Sequence, residues 1–238
     1  MQNLLLLHGA LGSAETLSAL KQALQHKYKV YTFSFSGHGG LAIPDEPYSM
    51  QLFSSDIAAF LDENGIDKTH IFGYSMGGYA ALSFALNYPE RVSSIFTIAT
   101  KFAWSPETAT KEVKMLDPDK IEEKVPAFAH KLMERHAPQN WKQVMHRTAE
   151  MMLQLGETPA LTSDTLSLVQ MPVRVSVGDR DNMVSAEETL WAYRQLPNAS
   201  ALILPDTRHP LETVPTERIA SELDLFISSK TLQLAATD

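Results

Sequence analysis

Short runs rich in leucine, valine and isoleucine alternate along this chain with longer stretches whose apolar residues recur every three or four positions. That alternation leaves few folds open. A strand joined to the next by a helix pairs with it in parallel, and a parallel sheet carries helices on both faces, so its strands read as near-continuous apolar runs. The candidate strands are Leu4–His8, Val30–Phe35, His70–Gly73, Ser94–Ile98, Val173–Val177 and Ala201–Leu204. Helical spacing covers Ser13–Gln25, Met50–Leu61 and Met76–Asn87. A capping box of Ser185 and Glu188 opens a helix running to Leu196, and Ile219, Leu223, Phe226 and Ile227 form the stripe of a last one. The class is α/β, with a mostly parallel sheet of about six strands.

From Lys101 to Leu161 the alternation stops, because the stretch holds helical patterns and no convincing strand. Pro106, Pro118 and Pro138 mark helix starts there and Gly156 a stop. Such an insertion between two strands is expected to be a lid, dividing the chain into a core of residues 1–100 and 162–238 and a helical lid of residues 101–161. The tail from about Ser228 is expected to fray.

A chain of 238 residues has room for one such domain. Its formal charge of −8 and the lack of a basic run argue against nucleic acid and anionic membrane as partners. It has no cysteine, which excludes disulfides, thiolate metal sites and a cysteine nucleophile and suits a reducing compartment. The apolar run Leu4–Leu7 is too short to span a bilayer and lacks the basic flank of a signal peptide, so the expected location is the cytoplasm.

The chemistry is concentrated at Gly73-Tyr74-Ser75-Met76-Gly77, a Gly-x-Ser-x-Gly pattern between a candidate strand and a candidate helix. A serine held on so sharp a bend needs small neighbours two positions away, and the helix that follows aims its N-terminal N–H groups at the serine oxygen. The alternative is a tight strand-to-helix turn with a capping serine. A serine hydroxyl becomes a useful nucleophile only beside a base, which a third group must hold in one tautomer. Of eight histidines only His209 follows the last strand, just after Pro205-Asp206-Thr207-Arg208. Asp179 and Asp181, after the strand Val173–Val177, compete for the orienting role, and Asp181 is favoured. Asp206 reads as a turn residue. His70 begins a buried strand, whereas His130, His136 and His146 lie in the lid and are expected at the surface. Their spacing matches no zinc motif, and no metal or cofactor is expected. Backbone donors for a developing oxyanion are expected from Met76 and from Ala10, in the loop His8-Gly9-Ala10-Leu11-Gly12.

These blocks, with Ser36-Gly37-His38-Gly39, Gly78, Tyr88-Pro89-Glu90-Arg91-Val92, Pro172 to Asp181 and His209 to Glu212, resemble the α/β-hydrolase superfamily over nearly the whole chain. The resemblance implies an α/β-hydrolase fold and places that family's triad on Ser75, Asp181 and His209. The chain begins at what looks like the family's third strand, so the usual first hairpin is expected to be absent. Ser34 stands where an acidic residue is common, and Arg208 replaces a frequent glycine before the histidine, where it is expected to narrow the pocket or meet an anionic substrate group. The Gly-Tyr-Ser-Met-Gly-Gly block is also similar to menaquinone-pathway synthases of this fold, but Tyr79 stands where that branch often has an arginine.

The leading expectation is a serine hydrolase of a small carboxylic ester, working through an acyl-enzyme. A lyase or carbon–carbon hydrolase using the same triad, and a small-molecule receptor on a hydrolase scaffold, are the alternatives. Phe102 and Trp104 directly follow a strand end, where this architecture places its crevice, and with Tyr74 they are the candidate substrate contacts. Met115, Met133, Met145, Met151 and Met152, with Phe128 and Trp141, either line an adaptable acyl pocket or pack the lid on the core. The oligomeric state is left open.

Overall fold

In the computed structural model, which describes residues 1–235, six parallel strands form one sheet. They are β1 (Asn3–Leu7), β2 (Lys29–Thr32), β3 (Thr69–Tyr74), β4 (Val92–Ile98), β5 (Val173–Gly178) and β6 (Ala199–Leu204), in the order β2-β1-β3-β4-β5-β6. The pleat sends alternate residues to opposite faces. Leu5 and Leu7 therefore join Ile71, Ile95 and Val175 in one core, and Leu4 and Leu6 join Phe72, Phe96 and Ile98 in another. All four leucines of β1 are fully buried, as expected of a strand covered on both sides.

Helices α1 (Ser18–Leu24), α2 (Met50–Glu63) and α3 (Met76–Asn87) connect the first four strands. Between β4 and β5 come α4 (Pro106–Val113), α5 (Pro118–Lys124), α6 (Pro126–His136), α7 (Trp141–Glu157) and α8 (Ser163–Leu166), with no strand among these described residues. In this insertion α4 packs on α7 and α5 on α6. Helix α9 (Ala186–Gln195) joins β5 to β6, and α10 (Thr216–Ala235) packs beside α1. The tail expected to fray from Ser228 is helical to Ala235, and its last three residues lie outside the described residues. Among the described residues no helix is long and apolar enough to cross a membrane.

Several boundaries differ from the sequence reading for identifiable reasons. Strand β2 stops at Thr32 rather than Phe35, because the Phe35 N–H leaves the ladder and donates to His8 Nε2 (3.1 Å). The stretch Ser13–Gln25 splits into a 3-10 turn over Ala14–Leu17 and then α1. Pro138 starts no helix: its steric demand on the preceding residue holds Ala137 extended (ψ 139°) and so ends α6, while Asn140 caps α7. Gly156 lies within α7 rather than after it, where a Cβ would come within 2.6 Å of the Ala109 side chain on α4.

Candidate active site

Ser75 sits at the bend between β3 and α3 with φ 52° and ψ −115°, a left-handed conformation that a non-glycine residue adopts only where its surroundings enforce it. Its N–H donates to the Ile98 carbonyl (2.9 Å), and its own carbonyl accepts from the Thr100 hydroxyl (3.0 Å). The bend is possible only with glycine on either side. A Cβ at Gly73 would lie 2.4 Å from the backbone of Gly78, and one at Gly77 would lie 2.5 Å from the Leu7 carbonyl oxygen. Met76 opens α3, so its N–H has no partner inside the helix and is free for an incoming oxygen.

The C-terminal ends of β5 and β6 deliver the other two groups. His209 Nδ1 donates to Asp181 Oδ2 at 2.8 Å, and Asp181 Oδ1 accepts from the N–H groups of Met183 (2.8 Å) and Val184 (2.9 Å). Burial works against the charged form of Asp181. The hydrogen bonds from His209, Val184 and Met183 outweigh it and hold the carboxyl below its ordinary range. Asp179 is spent otherwise, accepting from the Thr207 N–H at 3.1 Å, and Asp206 occupies a turn at φ 55°. The Tyr74 hydroxyl donates to the His209 carbonyl (3.1 Å), which secures the histidine from behind.

The loop carrying Ala10 is a tight turn closed by the Gly12 N–H on the Gly9 carbonyl (3.0 Å), with Leu11 at φ 57°. The Leu11 carbonyl accepts from Arg135 Nη1 (2.8 Å) and from His136 Nε2 (3.2 Å). His136 thus lies buried at the end of α6, contrary to its expected surface position, because its other nitrogen also accepts from the Gly39 N–H (3.2 Å). It packs edge-on against His38, which in turn neighbours His8. His130 and His146 are exposed as expected.

Ser75, Met76, Ala10 and His209 line one cavity of about 50 Å³, whose walls are otherwise mostly apolar. Residues 75 and 209 therefore border the same space. Trp104 lines it too, as do Met151, Met152 and Leu155 from α7, so the insertion forms part of the wall. The other expected substrate contacts lie elsewhere. Phe102 is buried beside the cavity rather than in it, because its N–H donates to Glu188 Oε2 (2.9 Å), and Tyr74 stands behind His209. Arg208 is exposed and does not reach the cavity. Of the remaining methionines and aromatics, Met145 and Trp141 are core residues, while Met115, Met133 and Phe128 face solvent. Sequence reasoning missed Lys101 and Glu112, which line the cavity and pair at 3.2 Å. Lys101, like Trp104, directly follows the end of β4, where the crevice is expected. Glu112 carried no signal, since only the docking of α4 brings it there. Among the described residues no three potential ligands converge on a metal position.

A six-stranded parallel sheet, a serine on a strained strand–helix bend and an aspartate–histidine pair at two later strand ends define the class of serine-hydrolase-like α/β proteins. A family model described as alpha/beta hydrolase fold matches residues 2–140, more than half of the chain, which therefore belongs to the α/β-hydrolase family. The pimeloyl-[acyl-carrier protein] methyl ester esterase of Aeromonas hydrophila is 32% identical over 99 residues, covering 41% of this chain and 37% of the relative. That of Aliivibrio fischeri is 23% identical over 250 residues, covering 95% and 93%. In its first matches the chain covers only 35 to 37% of the relative's length. A thermophilic esterase from Thermogutta terrifontis superposes with a TM-score of 0.76 at 21% identity, covering 97% of this chain and 90% of the other, a likeness of fold alone.

Proposed function

We propose that this chain hydrolyses a small carboxylic ester or related acyl compound through a covalent acyl-enzyme. The observation that carries the reading is that His209, paired with Asp181, lines the same mostly apolar cavity as a serine strained on its bend. In this reading Ser75 Oγ attacks the carbonyl carbon as His209 Nε2 takes its proton, and the Ala10 and Met76 N–H groups receive the negative oxygen. His209 then returns the proton to the departing alcohol, and water, deprotonated by the same nitrogen, releases the acid and frees Ser75. Asp181 holds the imidazole in the tautomer with Nδ1 protonated and supports its transient positive charge. The named relatives support an acyl substrate, since two are methyl ester esterases. The insertion serves as the lid, because α4 and α7 both supply cavity wall. The absence of cysteine suits work in a reducing cytoplasm.

The test is turnover of p-nitrophenyl acetate and butyrate, with fluorophosphonate labelling of the serine. Activity and labelling lost together in Ser75→Ala support the assignment; wild-type turnover no greater than that variant's would sink it.

A further inference from the structure

Besides Ser75 and His209, the mostly apolar cavity is lined by one ion pair. Lys101 Nζ, just past the end of β4, lies 3.2 Å from Glu112 Oε1 on α4, with side chains only 16% and 11% exposed. Burying two opposite charges costs more than their attraction returns unless further hydrogen bonds complete the pair. Here they do not. Among the described residues the ammonium has one further hydrogen-bond acceptor, the Met183 carbonyl at 3.4 Å, and the second Glu112 oxygen has no protein partner. The ammonium lies 5.7 Å from the centre of the Trp104 ring, and the buried Trp104 indole N–H has no acceptor at all. An orphaned buried donor costs roughly 1–3 kcal/mol. Lys101, Glu112 and Trp104 line the same cavity as Ser75 and His209, and Lys101 is the single cation among the lining residues.

An incompletely bonded ammonium beside an unused N–H is a receptor for an oxygen anion. We propose that the substrate's acyl part ends in a free carboxylate, which binds Lys101 and the Trp104 N–H, and that Glu112 is the place-holder it displaces. This rests on the ester-hydrolase reading and narrows it to half-esters of dicarboxylic acids.

Monomethyl succinate and methyl butanoate carry acyl chains of similar length and differ in charge, so kcat/KM for each, followed by acid release, tests the assignment. The wild type should favour monomethyl succinate. Lys101→Met should lower the anionic-to-neutral ratio of kcat/KM by about tenfold, mainly through KM, as expected for one lost charge-assisted hydrogen bond. Trp104→Phe, which keeps a ring and removes the N–H, should lower it less. Glu112→Gln should raise the ratio, because it removes the competing and repelling carboxylate. Succinate should inhibit the wild type competitively and Lys101→Met much more weakly. Lys101→Met strands a buried carboxylate, so Lys101→Met/Glu112→Gln serves where the single variant folds poorly, and its ratio should also fall. A wild-type preference for methyl butanoate, or ratios that none of these substitutions move, would overturn the carboxylate assignment while leaving the hydrolase reading intact. If p-nitrophenyl acetate and both methyl esters fail alike, the hydrolase reading fails. The anion site is then judged by whether succinate raises the melting temperature of the wild type and not of Lys101→Met; no rise in either would sink it.

Discussion

A methyl group added at Gly77 would lie 2.5 Å from the Leu7 carbonyl oxygen and 2.6 Å from that of His8, with backbone that cannot step aside. Gly77→Ala is therefore expected to lower stability by roughly 1–3 kcal/mol, the range for overpacking a closed site, read by urea unfolding. Gly65 is the contrast. Nothing lies within 4 Å of its absent Cβ, so only its positive φ of 61° resists alanine, at a cost of about 1 kcal/mol. At the candidate site, Asp181→Asn should cut kcat by about 10⁴-fold, since the amide favours the wrong imidazole tautomer. Asp179→Asn should not touch kcat in this way, because its carboxylate holds the Thr207 N–H rather than the histidine.

Among the elements, α9 shows how a local signal can hide a distant role. Ser185 and Glu188 form the capping box that their spacing announces, with the Ser185 N–H on Glu188 Oε1 at 2.9 Å. The second oxygen of Glu188 accepts from the Phe102 and Ala103 N–H groups at 2.9 and 2.8 Å, tying α9 to the segment that carries Lys101 and Trp104. Glu188→Ala should thus cost about 3 kcal/mol, one for each orphaned N–H, against about 1 kcal/mol for Ser185→Ala. Equal losses in a denaturant titration would show that the cap alone matters. Helix α6 plays a comparable part, since Arg135 and His136 at its end reach across to the loop holding Ala10.

For the molecule as a whole, four of the five buried histidines set the response to acid. Burial is the chief cause that holds His8, His70 and His136 at about 4, against the usual 6.5, and pushes His38 well down. The unfolded chain takes up these protons as pH falls through 6.5, while in the folded chain His8, His70 and His136 take them only near 4 and His38 only well below 6.5. Stability is therefore level above 6.5 and drains away between 6.5 and 4, by on the order of 1.4 kcal/mol per histidine and pH unit in the middle of that window. Asp181, held below the carboxylate range, adds its own loss only at still lower pH, as the unfolded value of 3.8 is passed. Melting temperatures from pH 7.5 to 4.5 should show a plateau and then a steep decline, shallower in His70→Asn. A flat profile would contradict the assignment of these four as neutral in the fold.

The strand–helix alternation and the Gly-x-Ser-x-Gly bend are local: periodicity decides which faces are apolar, and steric demand within five residues decides where a serine can perch. That is why six strands, the bend at Ser75 and the chain order of Asp181 and His209 could be read from residues alone. Sequence favoured Asp181 over Asp179 without excluding the latter, and nothing local distinguishes a buried His136 from an exposed His146, because the deciding partners lie 28 residues away for Asp181 and about 125 for His136. Only packing brought Lys101 and Glu112 together inside the cavity and left Phe102 outside it. Contacts made across the fold depend on how helices dock, and helix docking answers to the shape of the whole core rather than to any one stretch of sequence.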